Sequence, residues 1–426
     1  MYPRVLSIAF LFVAVVACVS HAAAAETTSG PVFVVPATAK ALHVSVDLPE
    51  GFSADVAKSW RLIESDVSTT AIPVDILPAI DADGTVKRDR SRLVASIAPR
   101  DGATGLRRFT LTEDKAQRSK MAPSFQWTAD SPASLRLDEH ARPVFVYNHG
   151  DITNEKVPAS DARRTRGCYL HPIYGLDGEV LTDDSPRDHY HHHGLFWAWP
   201  HVEIDGRHYD LWMGRNIRQK FVRWLAGDEG TAGGTQSGTI GVENGWFVGD
   251  EKVMIERVWL TAHKAIDGAQ AIDLTLVLIP VDRPITLRGA ENKSYGGLCI
   301  RFAVPPRQRP TITVPDGVTD KDLSMTRLAW ADLAYPFGEK GKPSGASLMI
   351  SKTHPDFPPM WLTRHYGPLC IGFPGVESKT FEANEPLTLR YRLWIHRDAV
   401  EPTALGDAYE AYTAGERITW EPAAAR

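Results

Sequence analysis

The sequence predicts a mainly β protein in which a large antiparallel β-sandwich follows a smaller β-rich N-terminal module. Three observations predict it. Short runs rich in Val, Ile, Leu, Thr and aromatic residues recur along the chain, separated by Gly, Pro, Asn and Asp, the punctuation of strands and turns. In Leu387-Thr388-Leu389-Arg390-Tyr391-Arg392-Leu393-Trp394-Ile395 every second residue is apolar, as in a strand with one buried face. Convincing helical periodicity is scarce, and no fixed-period repeat points to a propeller or solenoid.

Taken in order, 41–48, 92–97 and 107–111 read as strands of the first module. The stretches 143–148, 253–263, 272–279, 298–304, 347–351 and 387–396 read as strands of the sandwich. Two helices are expected, a weak one over 54–64 with Ser53 as N-cap and a better one over 404–413 with Pro402 just upstream. The first module covers 27–130 and the sandwich 131–426, with the boundary in the polar stretch 115–132.

Residues 1–25 have the layout of a secretory leader: Arg4, an apolar run over 5–19, then Ala22-Ala23-Ala24-Ala25 as the cleavage region. Val15-Val16-Ala17-Cys18 also resembles a lipoprotein box that would leave a lipid anchor on Cys18. Either cut puts the mature chain outside the cytoplasm, periplasmic or secreted. The apolar core of the leader is too short to span a bilayer, and no later segment reaches spanning length.

Cys168, Cys299 and Cys370 then remain, an odd number without CxxC spacing, which argues against a disulfide framework and a zinc-thiolate site. Three semi-buried thiols are the plain expectation. One pair can still bridge in an oxidising compartment, and spacing leaves open which. The formal net charge of −5 and the lack of a long basic run exclude the cationic face that nucleic acid requires. A small molecule or oligosaccharide is the expected partner, because the 12 Trp and 12 Tyr are a high aromatic load and such rings stack on sugars in exported proteins.

The densest chemistry lies in Asp188-His189-Tyr190-His191-His192-His193-Gly194, which holds four of the 15 histidines. Imidazole titrates nearest neutrality and is the commonest metal ligand, so the cluster predicts proton transfer, metal binding or both. In an extended backbone His189, His191 and His193 share one side, while Asp188, Tyr190 and His192 share the other. His189 and His191 could then hold a divalent metal with a third ligand from His354, His365 or His396. Acid/base work by His191 or His192 without a metal is the alternative, and rings that only bond nearby backbone are the plain one.

Other polar residues gather in short motifs. Arg166 offers a planar fork for carboxylates or vicinal hydroxyls, and Tyr169 can stack and donate, unless both simply decorate an edge strand. Arg301 interrupts an apolar strand, so it must meet a carboxylate or face a cleft. Lys293 could steady an oxyanion or serve as a base, or be a solvated loop residue. His354, Trp361 and Arg364 fall in a Pro-rich stretch that reads as a substrate-contacting loop or as a rigid connection with its aromatic in the core. No GxSxG, HExxH, GxGxxG or P-loop is present, which removes serine-hydrolase, zincin, dinucleotide and nucleotide-triphosphatase readings.

As an ordered series over about residues 140–400, these motifs resemble secreted bacterial proteins labelled "methane oxygenase PmoA". The series is 166–174, Asp188-His189-x-His191-His192 with Gly194-Leu195, 293–301, Trp330-Ala331-Asp332, His354-Pro355, Trp361-x-x-Arg364-x-Tyr366-Gly367 and Leu389-Arg390-Tyr391-Arg392. The family often has Arg at the place of His193 and Lys-Glu at that of Lys293-Ser294. Membrane oxygenase subunits of that name span the bilayer repeatedly and this chain does not, so methane oxidation is set aside. The resemblance implies instead a β-sandwich, of which a galactose-mutarotase-like supersandwich is one form, associated with carbohydrate breakdown.

The leading expectation is therefore an exported enzyme acting on a saccharide by lyase, hydrolase or epimerase chemistry. His191, His192, Lys293 and His354 are its candidate catalytic residues, while Arg166, Tyr169, Trp197, Arg301, Trp361 and Arg364 are its candidate sugar contacts. A non-catalytic glycan-binding protein and a metal-dependent redox protein are the rivals.

Overall fold

The computed structural model describes residues 30–65, 71–100, 102, 104–115, 121–227 and 233–422. The expected leader and the lipid site at Cys18 lie outside them.

Two nine-stranded antiparallel sheets form the body. The front sheet runs Ser324–Arg327, Met360–Thr363, Pro368–Gly372, Gly297–Arg301, Leu195–Ala198, Tyr169–Ile173, Arg142–Asn148, Ser134–Glu139, Phe125–Ser131. The back sheet runs Arg218–Ala226, Ser237–Val248, Glu251–His263, Ala269–Pro280, Leu387–Arg397, Ser344–Ile350, Trp330–Tyr335, Thr311–Val314, Gly317–Thr319. Their facing side chains share one apolar core, with Trp127, Phe145, Leu170, Phe196 and Ile300 from the front and Ile240, Val258, Leu274, Leu348 and Leu393 from the back. Each such side chain taken out of water contributes about 1.5–3 kcal/mol, which is why the strands alternate as they do.

The alternation over Leu387–Arg397 holds on the core side, where Leu389, Tyr391, Leu393 and Ile395 are buried. Its other face is covered too. The single α-helix among the described residues, Pro402–Gly415, lays Leu405, Tyr409 and Tyr412 over Trp394 and Met349. It starts at Pro402, whose fixed backbone suits the first turn.

The N-terminal module is a seven-stranded sheet ordered Leu42–Asp47, Val86–Ile97, Ala71–Ile80, Trp60–Glu64, Leu106–Glu113, Val32–Pro36, Thr419–Trp420. Its last strand comes from the far end of the chain, and Trp420 packs edge-on against Phe33 at 5.2 Å. The helix expected over 54–64 is not formed. Trp60-Arg61-Leu62-Ile63 is β-prone, and it pairs on one side with Ala71–Ile80 and on the other with Leu106–Glu113. The boundary also moves, because Phe125–Ser131, inside the stretch read as linker, is an edge strand of the front sheet.

A buried carboxylate joins module and sandwich. Asp75 accepts from the backbone N–H of Thr235, Gln236 and Ser237 at 2.8–2.9 Å and from the hydroxyls of Thr235 and Ser237 at 3.0–3.1 Å. Asp75→Ala would strand these donors, so we expect a loss of about 2 kcal/mol in urea unfolding. Unchanged stability would show that the junction is solvated.

Cys299 and Cys370, directly opposite on paired strands, are bridged, and Cys168 is a buried free thiol. The expectation of three free thiols is corrected, since spacing along the chain says nothing about register across a sheet.

Candidate active site

The histidine segment is not extended. Ser185 donates its N–H to the His192 carbonyl at 2.8 Å, His189 to Pro186 at 2.9 Å and His192 to His189 at 2.9 Å, so the chain turns twice through 185–192. The two-sided alternation therefore fails. His189 stacks on His192 at 4.5 Å and on Tyr366 at 5.2 Å, and His191 meets both rings edge-on at 4.7–5.5 Å. His193 leaves this group for Asp184, its partner in an isolated β-bridge. Gly194 follows because a Cβ there would overlap the Leu170 carbonyl oxygen of the neighbouring strand.

The metal expectation built on His189 and His191 is not supported by this geometry. Among the described residues no group of three or more His, Cys, Asp or Glu is arranged to hold an ion. The third-ligand candidates are committed elsewhere: His354 accepts from the Asp356 N–H, His365 lies 2.7 Å from Asp322 and His396 lies 2.9 Å from Asp332.

His193 and Asp184 form the best-defined chemical unit. Asp184 Oδ1 lies 2.6 Å from His193 Nδ1, and Asp184 Oδ2 accepts from the Tyr169 hydroxyl at 3.0 Å. Burial pushes the Asp184 carboxyl up, but the hydrogen bonds it accepts from His193 and the Tyr169 hydroxyl outweigh it and hold it below the usual carboxylate range. Burial pulls His193 down against the pull of Asp184. The ring is thus neutral, with its proton on Nδ1 facing the carboxylate, and Nε2 keeps the basic lone pair.

His193 lines a narrow cleft of about 40 Å³ with His191, Arg163, Arg166, Gln219, Trp212, Met213 and Ile217. His191 is also held neutral, its pKa pulled down to about 3 by burial and by nearby His189 and Arg163, and its Nδ1 is buried without a partner. His192 is lowered by burial as well, but it sits behind His191 at 5% exposure. Its lining mixes apolar side chains with imidazole and guanidinium, as a small-molecule site does.

Arg166 is placed by a chain of buried polar groups. Its Nη2 donates to Gln219 Oε1 at 3.0 Å, and its guanidinium lies over the Phe196 ring at 5.1 Å. Gln219 Nε2 donates in turn to Glu256 at 2.8 Å, and Trp246 and Asn244 donate to the same carboxylate at 2.7 and 2.9 Å. Glu256 is fully buried, yet its oxygens go to neutral donors, with Gln219 as a spacer before Arg166. A cation–π contact contributes about 1–2 kcal/mol, less than the several kcal/mol that burying a guanidinium costs. Removing Glu256 would leave the Gln219 amide and the Trp246 N–H without an acceptor and would take one of the two acceptors of the Asn244 amide, the Tyr147 hydroxyl being the other. Glu256→Ala should therefore destabilise the protein by about 3 kcal/mol in chemical denaturation. A change under about 0.5 kcal/mol would mean that the network is not closed as described.

The other expected site residues divide. Arg301 meets a carboxylate, as its strand position required: Nη2 reaches both Asp188 oxygens at 3.0–3.1 Å, and the guanidinium lies 4.9 Å over Tyr366. Tyr169 is buried and serves Asp184, so it positions a carboxylate instead of touching sugar. Trp197 and Trp361 are wholly buried, Trp361 donating to the Leu328 carbonyl at 2.8 Å, and neither can stack on a ligand. Arg364 ties its loop to the carbonyls of Leu323 and Thr363 at 2.8–2.9 Å. Lys293 is exposed in a turn and does not line the cleft. His354 packs on Phe373 at 4.9 Å, away from the histidine cluster, with its pKa lowered by burial to about 4.

Several cleft residues gave little sign of themselves. Trp212 and Gln219 carry no spacing signal in the chain, and Asp184 reaches His193 only through a tertiary bridge. Glu256 did have one, a carboxylate inside the apolar strand Glu251–His263, where an unpaired charge would be prohibitive.

A β-sandwich with a His–Asp pair opening on a cleft at one edge defines the class of protein. The model described as "Family of unknown function (DUF6807)" matches residues 133–410, and the chain belongs to that family. No curated protein matches it. Among solved structures, a protein named as a kojibiose phosphorylase from human microbiome is similar at a TM-score of 0.30 and 8% identity, over 67% of this chain. This chain spans 34% of that protein's length. The GalM/aldose epimerase homologue from C. elegans gives a TM-score of 0.27 and 9% identity, over 65% of this chain and 100% of that one. At such scores neither likeness bears on activity.

Proposed function

We propose that the protein is a carbohydrate-active enzyme whose substrate sits in the cleft beside His193, with His193 Nε2 as general base. The observation that carries this reading is the neutral His193 ring, fixed by Asp184 at 2.6 Å on the wall of a cleft that also holds Arg166 and His191. A base so oriented takes a proton from a sugar hydroxyl, an activated sugar C–H or a water, the first event of epimerase, lyase and hydrolase chemistry alike. His191, at the same wall, supplies a second proton-transfer group. Arg166 and Gln219 hold the ligand, while Trp212 and Met213 cover its apolar face.

Export belongs to the same proposal. The leader-like residues 1–25 support it, as does the Cys299–Cys370 bridge, which suits an oxidising compartment. No helix among the described residues is long and apolar enough to cross a membrane.

The test is a panel of mono- and oligosaccharides, oxidised keto-sugars included, incubated with purified protein and examined for products by mass and NMR. Product from at least one sugar supports the enzyme. Non-catalytic glycan binding is a second reading, favoured by the low exposure of His193 and Trp212, each 3%. That reading predicts calorimetric binding of a saccharide with no product after long incubation.

A further inference from the structure

We propose that the ligand of this cleft is anionic, a saccharide bearing a carboxylate that docks on Arg166. The inference rests on the saccharide reading above and adds its charge. Arg166 lines the cleft next to His191 and His193. Among the described residues it forms no ion pair: its partners are the Gln219 amide oxygen at 3.0 Å and the Trp197 carbonyl at 3.4 Å. Its Nε is buried with no partner at all. Glu256 and Asp184 act on it by charge from a distance, but neither bonds it: the oxygens of Glu256 go to Gln219, Asn244 and Trp246, and those of Asp184 to His193 and Tyr169. The cleft wall thus carries a guanidinium that no carboxylate among the described residues bonds directly.

The mouth repeats the pattern. Arg163 is neutralised by Asp161, to which it donates from Nε at 2.8 Å, whereas Arg215 and Arg218 are exposed and form no ion pair among the described residues. Against these cations the cleft wall offers Asp151, itself exposed. A carboxylate entering here meets a positive field and ends on a planar fork that matches its two oxygens.

Calorimetry on the full chain tests this, with galacturonate and glucuronate oligosaccharides, their neutral counterparts and a sulfated counterpart as probes. Uronates should bind at least 10-fold more tightly than the neutral sugars. Arg166→Gln should reduce that preference to under 2-fold, and Arg166→Lys, which keeps charge but loses the fork, should fall between. The wild-type preference is decisive by itself if a variant does not fold. Equal affinity for uronate and neutral sugar overturns the anionic assignment and leaves the saccharide reading standing. Tighter binding of the sulfated probe overturns the carboxylate. Failure of every saccharide to bind removes both readings together.

Discussion

His193→Asn should lower turnover of a saccharide substrate by about 10²–10⁴-fold, the contribution of a positioned general base. Asparagine can keep a hydrogen bond to Asp184 but has no lone pair of imidazole basicity, so the fold survives and the chemistry does not. Asp184→Asn should act through the same atom. A carboxamide no longer fixes the proton on Nδ1, the ring can turn its N–H toward the cleft, and the loss should approach that of His193→Asn. Tyr169→Phe removes one of the two groups holding Asp184 and should have a smaller effect. His191→Ala separates the two imidazoles: if His191 only packs, turnover stays within 3-fold of wild type. Initial rates from the saccharide panel decide each case, and wild-type turnover by His193→Asn would remove the proposed base.

Acid should destabilise the protein well before its carboxylates protonate. Burial lowers the pKa of His43 and His192 well below the usual imidazole value, and those of His191 and His354 to about 3 and about 4, so the folded chain keeps these rings neutral. The unfolded chain protonates them near 6.5. Below that pH the unfolded state binds more protons, so their contribution is complete above about 6.5 and shrinks as pH falls, by about 1.4 kcal/mol per unit for each ring still neutral. Asp273 has the same sign. Its carboxylate, held low by Arg392 and His263 against burial, adds its own loss below about 4. His396 opposes them, because Asp332 raises its pKa against burial, and it favours the folded state at lower pH. The four rings lowered furthest, with His396 against them, leave a loss of at least about 4 kcal/mol between pH 7.5 and 5.0 in urea unfolding. Equal stability at the two pH values would mean that these imidazoles are hydrated.

The fold was largely legible because strands repeat a local rule. Each stretch read as a strand lies in or overlaps one, and the C-terminal helix begins at Pro402. What failed locally was 54–64, where β-pairing on both sides overrode a weak helical pattern. The C-terminal strand Thr419–Trp420 is short and finds its partner across the whole chain, which no local rule reveals. The site was half legible. Histidine density pointed to the segment whose His191 and His193 line the proposed cleft, and Arg301 does meet a carboxylate, Asp188, which its strand position demanded without naming. The alternation assumed for 188–193 failed because turns, not a strand, carry it. His193 was consequently grouped with rings it does not join, and its partner Asp184 went unnoticed. Trp197 and Trp361 were drawn toward the site by composition, although the two facing sheets take large aromatics into the core first.

A crystal structure of the protein soaked with a bound saccharide tests the central claim most directly. The account predicts a sugar in the cleft beside Trp212, with a reacting or mimicking oxygen about 3 Å from His193 Nε2 and a second group on Arg166. A sugar seated elsewhere, with the His193 cleft empty at saturating ligand, would contradict it.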